Sequence, residues 1–182
     1  RTQTTEMGKE QLQAINATQL RSLPANQLQK LSAEQLRLLL PEQIAQLNLV
    51  SVRNVLKSLS AEQLQALNPT QIRGLQAADT VKLNALQIQA LTQMQIAAIA
   101  PEVLVQFNKQ QWREWSPEQI RSLQPNQLKA LTPEQLSWLS PWQLNALTST
   151  QMAQLLPLQI AGLSARQQQI LLPEQWSQLQ PN

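Results

Sequence analysis

Apolar residues return along this chain at every eighth position, in a register strict enough to lay out a whole fold. Internal periods are sought first because missing one misassigns the architecture. With position one set on Leu131 the octad reads LTPEQLSW; LSPWQLNA follows from Leu139, and WSPEQIRS from Trp115 and LSAEQLQA from Leu59 precede it. The consensus is Leu, Ser/Thr/Asn, Pro, Glu, Gln, Leu, x, x. Six octads run over residues 7–54, a four-residue insertion occupies 55–58, and fifteen octads run over 59–178. Position one is apolar in all 21 octads and position six in 19, with Thr80 and Gln168 the exceptions. Gln fills position five in 18, missing at Ser51, Asp79 and Val103, and ten of the eleven prolines fall at position three, Pro24 standing one residue early.

Each position has a local physical role. Ser, Thr or Asn at position two is a helix N-cap, Pro at three is the first helical residue where its missing N–H costs nothing, and Glu at four faces the positive end of the helix dipole. Gln at five completes a capping box with the residue three before it, as in Ser116 with Gln119 and Thr132 with Gln135. Positions six and one of the next octad are three apart and share a helix face. A continuous helix fails as an alternative. Each interior Pro costs about 3 kcal/mol, and eight residues at roughly 100° each rotate the apolar stripe by about 80° per octad, leaving no common buried face.

The expected fold is therefore all-α, a superhelical solenoid of very short helices, about one per octad, forming a single continuous array over 1–182. No octad buries enough surface to fold alone, so stacking is obligatory. Position-seven identities and the leucines at position two (Leu156, Leu172) echo every sixteen residues, which suggests two octads per layer and an elongated rod. Residues 48–57 suit one longer helix that absorbs the insertion, and 77–100, free of Pro, suit longer helices with irregular caps. The start at Arg1, without an initiator Met or a targeting pattern, reads as a fragment of a longer protein.

The residue inventory bears on function mainly by exclusion. The chain has no His, Cys or Tyr and three Gly, which removes the usual acid/base residue at neutral pH, thiol chemistry, His/Cys metal sites and glycine-rich phosphate loops. No nucleophile–base pair or carboxylate cluster is assembled. Catalytic, cofactor and metal residues are accordingly none, no enzyme is expected, and no stretch is apolar enough to span a membrane. The net charge of +3 is a small difference, 14 − 11. Acids gather at position four and bases at position seven, as helix dipoles favour, and Glu34 with Arg37 and Glu118 with Arg121 are i, i+3 pairs. If position-seven bases stack along one edge, Arg113, Arg121 and Lys129 form a weak basic ridge for a phosphate backbone, although nucleic-acid readers carry denser patches. Trp112, Trp115 and Trp176 sit on apolar columns and read as core. Trp138 and Trp142 sit at positions eight and four and are candidates for recognition. The Gln column is capping or a ladder of stacked amides.

At LSAEQLQALNPTQIRGL and WSPEQIRSLQPNQLKALTPEQLSWLSPWQLNALTSTQM the chain resembles the tandem octapeptide arrays of very large bacterial secreted and surface proteins such as adhesins and polymorphic toxins. It is similar, more loosely, to short-helix solenoids of the mesothelin and stereocilin type. LTPEQ also resembles the first helix of the DNA-reading repeats of plant-pathogen effectors, whose longer repeats and glycine-containing base-reading loop are missing here. The array resemblance implies an extended spacer, scaffold or protein-binding segment of an exported bacterial protein, secreted or at the cell surface. The alternative is a nucleic-acid-binding solenoid using the position-seven bases.

Overall fold

The computed structural model describes residues 7–179, and within them the chain is all-helical. Twenty α-helices of four to seven residues, from Lys9–Gln13 to Pro173–Leu179, and two 3₁₀ segments, Leu56–Ser58 and Ala77–Lys82, follow one another. Two compact units form, Arg1–Leu91 and Thr92–Asn182, and each is a coil of short helices obeying one packing rule.

Helix starts follow the sequence reading. Ser116, Thr132 and Ser140 accept the N–H of the residue three ahead, and Gln119, Gln135 and Gln143 accept the cap N–H in return, at 2.9–3.3 Å. Where Leu replaces the cap, at Leu40, Leu156 and Leu172, the glutamine still holds the cap N–H at 2.7–3.0 Å. The Gln half of the box thus survives without the hydroxyl half. Helix stops are less usual. Among the described residues no φ is positive, so no left-handed cap ends a helix. The chain leaves through an extended position-one residue instead, as at Leu59 and Leu131 (φ −72°, ψ 139° and φ −67°, ψ 135°), whose N–H closes on the carbonyl of position six (Leu131 N to Leu128 O, 3.2 Å). Three glycines suffice because no turn demands one.

The layers are joined by the position-five amide. Gln43 Nε2 donates to the carbonyls of Leu12 and Ile15 (2.9 and 3.1 Å) in the N-terminal unit. In the C-terminal unit Gln127 donates to Ile96 and Ile99, Gln143 to Trp112 and Trp115, Gln151 to Ile120 and Leu123, and Gln175 to Leu144 and Leu147. The offsets are always 31 and 28 residues in these cases. Each glutamine therefore fixes its own helix start through Oε1 and clamps the previous turn of the coil through Nε2. A turn closes after about three and a half octads (28/8), which corrects the expectation of two octads per layer. The sixteen-residue echo does not follow the layer spacing: position seven contacts position eight 25 residues on, as Arg21 does with Gln46 and Gln29 with Asn54. In each of these clamps the amide donates to backbone carbonyls of the previous turn and not to another amide.

The insertion also resolves differently. Leu49–Val55 runs directly into the 3₁₀ turn Leu56–Ser58, matching the expected longer element. Across it Gln63 and Gln71 reach back only 27 and 24 residues, to Leu36 and Leu39 and to Ile44 and Leu47, four fewer than elsewhere. One twelve-residue element thus fills the place of two octads, so the coil loses half an octad there instead of gaining one. The stretch 77–100 holds no longer helix: it comprises the 3₁₀ segment Ala77–Lys82 and two six-residue helices, Ala85–Ala90 and Gln93–Ala98, with regular Asn84 and Thr92 caps. Lack of Pro did not lengthen these helices, because the caps and the position-one exit set their ends.

Candidate protein-interaction surface

Once columns one, five and six are consumed by the core and the clamps, positions two to four and seven are left largely outward, while position eight is mixed, with Ala98 and Ala146 buried. The consensus places Glu at position four, on the first helical turn. Five octads put large apolar residues there, and all are exposed: Val50 and Leu86 in the N-terminal unit, Met94, Trp142 and Leu158 in the C-terminal one, with Trp142 58% and Leu158 78% accessible. Burial explains none of them.

The predicted candidates separate on inspection. Trp142 projects from the second residue of Pro141–Asn145 and is exposed, whereas Trp138, the C-cap of Pro133–Ser137, is half-buried. No ring contact joins the two. Arg113, Arg121 and Lys129 are all exposed but lie on three successive octads, and turns stack about three and a half octads apart, so they are spread around the coil and form no single-edge ridge. Position seven instead meets position eight 25 residues later, as Arg21 Nε meets Gln46 Oε1 at 3.2 Å and Gln29 Nε2 meets Asn54 Oδ1 at 2.8 Å. The same offset sets Arg113 in register with Trp138. Arg121 pairs with Glu118 at 3.4 Å with both side chains solvated, a contact of small energetic weight. The predicted Glu34–Arg37 pair does not form: its helix, Ala33–Leu36, is a single turn and both side chains stay in water. Arg121 also lines an open groove of about 360 Å³ with Gln93, Met94, Ala97, Ser122 and Gln124.

Trp112 and Trp115 are fully buried, stacked at 5.1 Å, with Phe107 edge-on to Trp115 at 5.6 Å. Their indole N–H groups have no partner, so they serve as apolar filling. Trp176 departs from its core assignment at 38% accessible. Position six is covered by the octads that follow it in the coil, and among the described residues none follows octad 171–178.

One charged cluster escaped the sequence reading. Asp79, 1% accessible, replaces Gln at position five. Its carboxylate accepts from Arg53 Nε at 2.8 Å, Lys82 Nζ at 2.8 Å and the Gln76 N–H at 2.7 Å, while Lys82 Nζ also donates to the Arg53 carbonyl at 2.8 Å. This octad meets the helix Leu49–Val55 through Arg53, and no glutamine amide is present at its position five to clamp a carbonyl there. Lys82 supplies the donor in its stead. Burial by itself raises the Asp79 pKa, but the hydrogen bonds from Lys82, Gln76 and Arg53 outweigh it and hold the carboxyl below the ordinary carboxylate value. The signal available in sequence was the break in the Gln column; its partner, 26 residues upstream, required the layer offset. Among the described residues no three acidic side chains converge as metal ligands, and no helix is long and apolar enough to cross a membrane.

The repeat character is matched outside the chain as well. A family model described as the ALTTAQ repeat matches residues 120–157, a stretch that includes Arg121, Lys129, Trp138 and Trp142. No curated protein and no solved structure matches the chain. Together with the all-helical coil, the match makes this a helical repeat protein.

Proposed function

We propose that the chain is a non-catalytic scaffold or spacer that presents its outward positions to a protein partner. The observation that carries the reading is the exposed apolar set at position four, where the repeat's own grammar calls for Glu. Exposed Trp, Met and Leu without a packing role are the residues of recognition surfaces. The resemblance to octapeptide arrays of bacterial secreted and surface proteins supports placing this scaffold in an exported protein. The dispersion of Arg113, Arg121 and Lys129 favours a protein partner over nucleic acid, whose binding rests on concentrated cationic contacts. Crosslinking in the source cells tests the proposal. A Trp142→Ser/Leu158→Ser variant, with unchanged helical circular dichroism, is expected to lose a partner that the wild type captures. Retention of the same partners, or salt-sensitive binding of duplex DNA, overturns it.

A further inference from the structure

Two bonded ladders cross the helix Leu49–Val55 and gather most of the positive charge of the N-terminal unit on one face. At the start of this helix the Asn48 amide donates to the Arg21 and Leu23 carbonyls of the preceding turn, at 3.0 and 3.1 Å, and the Leu49 side chain lies against Gly74, next to Arg73, in the following turn. At its end Asn54 Oδ1 accepts from Gln29, next to Lys30, at 2.8 Å, and Arg53 meets Asp79 and Lys82 in the following turn. The face therefore holds Arg21, Lys30, Arg53, Arg73 and Lys82, five of the eight described bases of that unit. The acid among them, Asp79, is 1% accessible and already shared by Arg53 and Lys82. Glu10, Glu34, Glu42 and Glu62, the unit's other described acids, stand on four other helices. Arg21, Lys30 and Arg73 are exposed, and no carboxylate among the described residues pairs with them. A turn of the coil packs on either side of Leu49–Val55, so its outward face is not an end of the coil.

Between these cations stand exposed aliphatic side chains, Leu49, Val50 and Val81, 40%, 59% and 76% accessible. Residues 1–91 contain no aromatic side chain, so the face offers neither the stacking platform that single-stranded nucleic acid uses nor the aromatic anchors of a membrane interface. Seven helical residues are about 10 Å long, and three turns packed about 8–10 Å apart make the face about 20 Å tall, the span of about six extended residues. A cationic rim around an aliphatic centre of that size complements a short segment that sets carboxylates beside apolar side chains. We propose that the outward face of Leu49–Val55, with Arg21, Lys30 and Arg73 at its rim, binds an acidic, aliphatic-bearing peptide segment of a protein partner. The inference rests on the scaffold reading above and gives one partner its chemistry; of the position-four residues that carry that reading it uses Val50 alone.

Fluorescence anisotropy on the whole chain tests this with a labelled peptide of five Asp-Glu-Leu triplets, a version with Ser for Leu, and a version with Lys for both acids. The wild type is expected to bind the first at least about tenfold more tightly than the Ser version, to ignore the Lys version, and to lose affinity as salt rises. Two variants, Arg21→Glu/Lys30→Glu/Arg73→Glu and Val50→Ser/Val81→Ser, change only exposed side chains, and circular dichroism checks that both fold. Each is expected to weaken binding at least about tenfold. Trp142→Ser/Leu158→Ser is expected to bind the peptide as the wild type does, so a failure of this face and a failure of the surface proposed above are read separately. Absence of binding by the wild type, equal binding of the two acidic peptides, or undiminished binding by either variant of the face overturns the proposal. A preference for duplex DNA or anionic phospholipid vesicles that the charge-reversed variant abolishes also overturns it, because the face then serves a polyanion.

Discussion

Gln143 offers the sharpest test of the clamp. Its side chain is fully buried, its Oε1 accepts the Ser140 N–H at 3.0 Å, and its Nε2 donates to the Trp112 and Trp115 carbonyls at 2.8 Å each. Gln143→Met keeps the volume and removes all three bonds. The Ser140 N–H is then stranded, at about 1–3 kcal/mol, and two carbonyls lose a net bond worth about 1 kcal/mol each; with the added apolar burial deducted, a loss of about 2–4 kcal/mol is expected. Gln143→Glu separates the two ends of the amide. It retains the Oε1 acceptor but sets carboxylate oxygen against two carbonyl oxygens, so its folded-state pKa rises above the ordinary Glu value of about 4.3. Its destabilisation is full above that raised pKa and shrinks as pH falls through it, because the protonated acid again donates one bond. Urea unfolding followed by the emission of the buried Trp112–Trp115 pair measures both effects at pH 7 and pH 4.5. The exposed Gln19, whose Nε2 is unpaired, is the control, and Gln19→Met should cost below about 0.5 kcal/mol. A Gln143→Met loss no larger than that of Gln19→Met, or a Gln143→Glu loss indifferent to pH, refutes the clamp.

Two further outcomes follow from particular contacts. Asp79→Ala leaves Arg53 and Lys82, each about a third exposed, to rehydrate, so the expected loss is about 1–3 kcal/mol at pH 7. Since the Lys82, Gln76 and Arg53 hydrogen bonds hold the Asp79 carboxyl below the ordinary carboxylate value, its contribution is present above that ordinary value and is lost as pH falls through the folded-state pKa; a wild-type advantage that persists undiminished at pH 2 in chemical denaturation contradicts the assignment. Gly162→Ala sets a Cβ against the Pro133 ring and 3.2 Å from its Cα, which cannot rotate away, whereas Gly74→Ala meets only the Cδ and Cγ atoms of the exposed Leu49 side chain, which can turn aside. Both glycines have helical φ near −80°, so sterics alone separate them. Thermal melts should show a loss of about 1–3 kcal/mol for the first and little change for the second, and equal losses would contradict this account.

What could be read from the sequence was whatever acts within one octad. N-caps, helix starts, the two apolar columns and the all-α coil depend on residues at most three or four apart, and Ser116, Thr132 and Ser140 stand where the spacing put them. What acts between turns was hidden. The coil period is set by a contact that nearly every octad makes alike, so its column carries no variation from which to read a period. The twelve-residue element at 47–58 shows in sequence as four extra residues, and only the shortened reach of Gln63 and Gln71 shows it to be a loss. Trp176 lies in a core column, yet column membership fixes only which way a side chain points, while its covering comes from another turn. The surface candidates fared likewise: Trp142 is exposed as its position-four place implies, but the supposed ridge of Arg113, Arg121 and Lys129 required a stacking period that does not exist.

One sequence signal nevertheless pointed to the clamp. A capping box takes Glu or Gln at its third helical position, and Glu there also benefits from the helix dipole, as the frequent Glu at position four shows. Yet position five holds 18 Gln and no Glu in 21 octads. A requirement for an acceptor alone does not produce that bias; a requirement for an acceptor and a donor on the same planar group does, because of the two only the amide has both. Two of the three exceptions obey the same logic, Val103 being the one that does not. At Asp79 the donor half is lost, and Lys82 delivers an N–H to the Arg53 carbonyl from three residues away. At Ser51 the hydroxyl and the Asn48 amide share the Leu23 carbonyl at 3.3 and 3.1 Å. The choice of Gln over Glu in a buried capping column is therefore a readable mark of a contact to another layer, and the Leu and Gln counts, 34 each, largely reflect a repeat whose core and whose lock are each specified by one residue type.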